Sequence, residues 1–105
     1  MPTAERSVTA ELSGALDFDT VPSMRDHLHN LIRDQPDRLI LDLATVTFLD
    51  SSGICLFVGL YKALAGYGGQ ILLVNVGYSV AQPMRITAVD TVIDIHYADP
   101  PPSPA

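Results

Sequence analysis

Two short apolar runs, Leu39-Ile40-Leu41-Asp42-Leu43 and Ile71-Leu72-Leu73-Val74-Asn75-Val76, bracket a segment too long to be a strand. That segment opens at Asp50-Ser51-Ser52-Gly53 and stops at Gly66-Tyr67-Gly68-Gly69, the start and stop signals of a helix. Strand, helix and strand in succession require the two strands to be parallel, because the crossover returns the chain to the same end of the sheet. This places the chain among the α/β folds. The run at Leu39 to Leu43 carries one acid among apolar residues, as expected of a strand covered on both faces.

The flanks fit around this unit. Val8, Ala10 and Leu12 alternate with Ser7, Thr9, Glu11 and Ser13, a strand with one buried face that Gly14 is expected to end. Val21, Met24, Leu28, Leu31 and Ile32 form one helical stripe. Asp19 or Thr20 can cap that helix, and Pro22 sits in its first turn, where a missing N–H costs nothing. Val46 and Phe48 fall in a connector. Val80, Met84 and Ile86 suggest a third helix, with Pro83 inside it as a kink, and Val92 to Tyr97 reads as a last strand. The sequence divides into a domain over 1–98 and a proline-rich tail over 99–105, expected to be disordered.

A chain of 105 residues holds one compact domain, and 48% apolar against 17% charged residues is the composition of a packed globule. A formal charge of −6, with the six lysines and arginines scattered, argues against nucleic acid or an anionic membrane as partner. The single cysteine, Cys55, can form no internal disulfide, and Gly53 to Tyr61, the longest uncharged apolar stretch, is far short of the ~20 residues of a membrane span. A cytoplasmic protein is expected.

Between Ile54 and Ala65 the only charge is Lys62. Ile54, Phe57, Val58 and Tyr61 form one stripe, expected to face the sheet; Leu56, Leu60, Ala63 and Leu64 form a second, displaced around the cylinder. A helix on a small sheet needs one buried stripe, so the second either packs under a neighbouring helix or offers a partner site.

Enzyme motifs are missing. There is no phosphate-cradling G-x-x-x-x-G-K-[ST] and no G-x-S-x-G elbow, for which Ser52-Gly53 supplies only half. His27 and His29 point to different faces of a helix, and His96 stands alone, so none of the three reads as a metal ligand. Asp17, Asp19 and Asp50 could gather at one end of the sheet, but turn and cap roles account for them, and Cys55 reads as core. In Asp50-Ser51-Ser52-Gly53, either Asp50 or Ser51 can be the N-cap, and a serine hydroxyl at such a junction is exposed.

Leu12-Ser13-Gly14-Ala15-Leu16-Asp17, Leu41-Asp42-Leu43 and Phe48-Leu49-Asp50-Ser51-Ser52-Gly53-Ile54 together resemble the STAS domain, and among its members the bacterial anti-sigma-factor antagonists. Gly68-Gly69 before the strand to Asn75-Val76, and Ile86-Thr87 before Val89-Asp90, extend the similarity over nearly the whole chain. The resemblance implies a single small α/β domain. Its sheet would be mixed but mostly parallel, of four to five strands, with helices mainly on one side. Ala88 stands where the family often has glycine, and the short N-terminus leaves little chain for a first edge strand.

What the resemblance implies for function is equally specific. The serine after the aspartate, here Ser51, would be phosphorylated by a partner that is both serine kinase and anti-sigma factor. The unphosphorylated form would bind that kinase and release a sigma factor, and a metal-dependent serine phosphatase would reset the cycle. The antagonist itself would hold no cofactor, would not be an enzyme, and would be a monomer or weak homodimer. Asp17, Asp19, Asp50, Ser52, Gly53, Ile54, Leu56 and Leu60 are the expected docking surface. The alternatives are a scaffold subunit with the same fold and no phosphorylation, and a serine hydrolase using Ser51 or Ser52.

Overall fold

The computed structural model describes residues 5–99. Four strands, β1 (Ser7–Leu16), β2 (Arg38–Leu49), β3 (Gln70–Val76) and β4 (Asp94–Tyr97), alternate with three helices, α1 (Val21–Leu31), α2 (Ser51–Ala65) and α3 (Gln82–Ile86). A turn of 3-10 helix, Val89–Thr91, follows α3. The sheet order is β1-β2-β3-β4, and each neighbouring pair is parallel. A mixed sheet was expected, but among the described residues it is parallel throughout. Residues 1–4, where a further edge strand would begin, lie outside the described residues.

Sequential order decides where the helices go. Each parallel crossover takes the same hand, so strands added in one direction set every helix on one face. Burial follows that rule. Leu39, Leu41 and Leu43 of β2 and Ile71, Leu73 and Val76 of β3 are buried, while Ile40, Asp42, Leu72 and Val74 between them are only half-buried. The reading of Leu39 to Leu43 as covered on both faces is therefore corrected. One face lies under helices, and the other is an open sheet face that side chains alone partly cover.

β2 is also longer than its apolar run. Val46 and Phe48, read as connector, lie within the strand, which pairs with β1 as far as Leu16↔Leu49. The register shifts between Glu11 and Ser13 and again between Gly14 and Ala15, so buried residues recur at Leu43, Val46 and Leu49. Bulges replace the period of two with a period of three, and alternation alone cannot reveal such a strand. β1 likewise runs past Gly14, which takes φ +72° inside the strand instead of ending it.

α1 buries Val21 and Leu28, with Ile32 just beyond its end, as the stripe predicts. Pro83 does not kink α3. It sits in the first turn, where its ring fits, and Met84 is the residue that α3 buries, while Ile86 faces solvent. Ala88, in the family's glycine position, takes the left-handed φ of 60° that leads the chain out of α3. Of the expected tail, Asp99 is described, and its carboxylate accepts a hydrogen bond from the Tyr78 N–H at 3.3 Å; residues 100–105 lie outside the described residues. Among the described residues, no helix is long and apolar enough to cross a membrane.

Candidate functional site

The end of β2 delivers the chain to the site. The Asp50 N–H donates to the Leu16 carbonyl at 3.2 Å, tying the end of β1 to the start of α2. Asp50 has extended backbone, and its Oδ1 accepts from the Ser52 N–H at 2.8 Å. Of the two possible caps, the structure takes Asp50. Ser51 is thereby the first residue of the helix, exposed, and among the described residues no hydrogen bond engages its hydroxyl. Ser52 is half-buried beside it.

Gly53 faces inward. A Cβ at this position would clash with Leu49 Cδ1 and lie 3.1 Å from both Cβ and O of Leu16. Its missing side chain lets α2 close onto the strand ends, and that approach sets the rotation of the helix. The buried face of α2 is Gly53, Leu56, Phe57, Leu60 and Leu64. α2 runs between α1 and α3, so the neighbouring helices cover what a lone helix would expose. Of the two outcomes open to the second stripe, packing under neighbouring elements is the one found for Leu56, Leu60 and Leu64, while Ala63 is exposed. Leu60 is 0% exposed, and Leu56 shows only at the floor of a groove. Gly53 and Leu60 are thus removed from the docking surface, while Ile54, half-buried, borders the core. Cys55, read as core, is exposed.

The neighbouring turn between β1 and α1 is held by Asp17. Its Oδ1 accepts from the Asp19 N–H at 3.0 Å and the Thr20 N–H at 3.1 Å, while Thr20 Oγ1 donates to the Ala15 carbonyl at 2.7 Å. Thr20 is the N-cap residue of α1 by backbone position but makes no side-chain capping bond, and the Asp17 carboxylate holds the turn that precedes it. Pinned on both sides, the turn projects Phe18 into solvent at 80% exposure. Among the described residues no group of histidines, cysteines and carboxylates could hold a metal, so Asp17, Asp19 and Asp50 do not assemble one.

Between α1 and α2 lies a groove of about 320 Å³. Ser51, Ser52, Cys55 and Gly59 line its α2 side, and Phe18, Pro22, Arg25 and His29 line the other. Asp17, Asp19 and Ile54 are not part of its lining. Phe18 and Arg25 were not singled out from the sequence, and His29 was weighed only as a metal ligand. The available signals were a phenylalanine between two aspartates outside any apolar period, and two basic residues four apart on the polar side of α1. A larger hollow of about 500 Å³ lies at the N-terminal ends of the strands, among Arg38, Gln70, Asp94 and His96, where His96 pairs with Asp94 at 3.5 Å. Ligand sites of open parallel sheets gather instead at the C-terminal ends of the strands, where Ser51 stands.

The family model for the STAS domain matches residues 1–99. An anti-sigma-B factor antagonist of Bacillus subtilis (strain 168) is 30% identical over 91 residues, which are 87% of this chain and 83% of that protein. The crystal structure of an anti-sigma factor antagonist from Mycobacterium paratuberculosis superposes with a TM-score of 0.78 at 24% identity, covering 90% of this chain and 80% of the other. The anti-sigma factor antagonist SpoIIAA in its unphosphorylated form superposes with a TM-score of 0.67 at 22% identity, over 96% of this chain and 86% of that one.

Proposed function

The chain belongs to the STAS domain family, and from that premise we propose that it is an anti-sigma-factor antagonist switched off by phosphorylation of Ser51. It is a regulatory binding protein, not an enzyme. Its partner is an anti-sigma factor that is also a serine kinase and supplies ATP and magnesium. A metal-dependent serine phosphatase restores the binding form, and the exchange takes place in the cytoplasm, where sigma factors act.

One observation carries this reading: Asp50 takes the capping role, which leaves the Ser51 hydroxyl exposed at the head of α2 with no hydrogen bond among the described residues. Ser52 is the poorer acceptor, being half-buried and drawn against Asp50 through its own N–H. The docking surface comprises Ser51, Ser52 and the Asp17–Asp19 turn, with Phe18 as its apolar anchor and Asp50 and Ile54 at its border. A phosphoserine there adds about −1.5 to −2 charge beside Asp50. In the free protein that charge faces water and the positive end of α2, which offers ~0.3–1 kcal/mol, so the fold persists. In a closed interface the same charge is desolvated, and a loss of about 3 kcal/mol already lowers affinity roughly a hundredfold.

The test uses the kinase-type anti-sigma factor of the same genome with labelled ATP. Wild type takes up phosphate at Ser51; Ser51→Ala takes up none and binds the kinase persistently; Ser51→Asp binds about a hundredfold more weakly. Undiminished labelling of Ser51→Ala would move the acceptor to Ser52.

A further inference from the structure

The groove beside Ser51 is cationic on one side in a protein of net charge −6. Arg25 and His29 line that side, one helical turn apart on α1. Four of the six lysine and arginine side chains are committed elsewhere. Arg6 donates to the Asp34 carbonyl at 3.3 Å, Arg33 to Asn30 Oδ1 at 3.0 Å, and Arg38 pairs with Glu5 at 3.1 Å. The Arg85 guanidinium lies 3.6 Å from the centre of the Tyr78 ring. Arg25 makes neither an ion pair nor a hydrogen bond among the described residues.

An uncommitted guanidinium across a helix–helix groove from a phosphorylatable hydroxyl is suited to one ligand. Its planar fork matches two phosphate oxygens at once, which an ammonium cannot do. Helices in contact lie ~8–10 Å apart axis to axis, a separation that an arginine and a phosphoserine reaching toward each other can bridge.

We propose that Arg25 is the internal counter-ion of phosphorylated Ser51, with His29 as a second donor, and that the phosphate so held occupies the Ser51 end of the α1–α2 groove. This deepens the reading of Ser51 as the switch and rests on it. The other charges near the phosphate are the Asp50 carboxylate at the head of α2 and those of Asp17 and Asp19 in the β1–α1 turn. All three repel it, so the phosphate settles toward α1. Phosphorylation then acts twice: it repels a partner's surface, and it occupies the Ser51 end of the groove while drawing Arg25 away from that surface.

Phosphoserine placed at position 51 by genetic-code expansion tests this without any kinase. Titration of its 31P resonance gives the second ionisation of the phosphate in the wild-type background and in Arg25→Gln. Loss of the cation disfavours the dianion, so Arg25→Gln raises that ionisation by about 0.5 pH units at low salt, and the difference vanishes near 1 M NaCl. Arg25→Lys recovers part of it, keeping the charge and losing the fork. The same ionisation in wild type and Arg25→Gln, or a change on His29→Gln alone, overturns the proposal. Absence of kinase-dependent phosphate at Ser51 would sink the switch reading instead, and the titration separates the two failures.

Discussion

Four successive residues at the head of α2 do four different things. Asp50 caps, Ser51 is displayed, Ser52 lends its N–H to the cap, and Gly53 lets the helix approach the sheet. The last of these decides how the others are presented. Leu49 and Leu16, the neighbours of the missing Cβ, are themselves buried and have little room to yield. Gly53→Ala gains about 1 kcal/mol of helix propensity and loses ~1–3 kcal/mol to overpacking. The net expectation is destabilisation of about 1 kcal/mol, seen as a lower urea midpoint with an unchanged slope. A helix cap at Asp50 or Ser51 was legible from the Asp-Ser-Ser-Gly pattern. Which of the two capped was not, because both side chains have the required oxygen.

At the scale of elements, α2 was legible as a helix but not in its rotation. It is apolar almost all round, so the sequence offers two candidate buried stripes and no polar face to choose between them. Gly53 on one side and the flanking helices α1 and α3 make the choice. Leu60→Ala therefore opens a cavity in the core and costs about 3 kcal/mol of folding stability, measurable by chemical denaturation, with any loss of partner binding secondary to it. Phe18→Ala behaves in the opposite way. Exposed on a turn that Asp17 and Thr20 hold without its help, it leaves stability within about 0.5 kcal/mol. It lowers partner affinity tenfold or more (~1.4 kcal/mol) by isothermal titration calorimetry.

Across the whole molecule, Ser51 stands at the C-terminal ends of the strands, and a separate tie closes the opposite end. Tyr67, just past α2, donates its hydroxyl to the Pro36 carbonyl at 2.7 Å, joining the end of that helix to the turn before β2. Burial first, and the Asp37 carboxylate second, push its phenol above the usual value, while Arg6 pulls the other way. Because the folded form holds the proton more tightly, the contribution of Tyr67 is complete below the ordinary tyrosine range near pH ~10. It is lost as pH rises beyond that range, since the unfolded chain ionises first. Tyr67→Phe should flatten the fall in urea stability above about pH 10 and remove ~1 kcal/mol at neutral pH. Phosphorylation at Ser51, remote from this tie, should leave that profile unchanged.

The strand–helix–strand unit and its parallel sense follow from the sequence by itself, because they rest on local signals: apolar runs of strand length, a cap at Asp50 or Ser51 and glycines after Ala65; the family was legible as a resemblance of contiguous motifs. Three matters belonged to the tertiary structure. The length of β2 depends on bulges that only pairing with β1 creates. The buried face of α2 depends on which neighbours reach it first. The groove that joins Arg25 to Ser51 exists only because two helices distant in sequence lie side by side on one face of the sheet. Each is a property of contact between segments, and contact is what a linear pattern does not record.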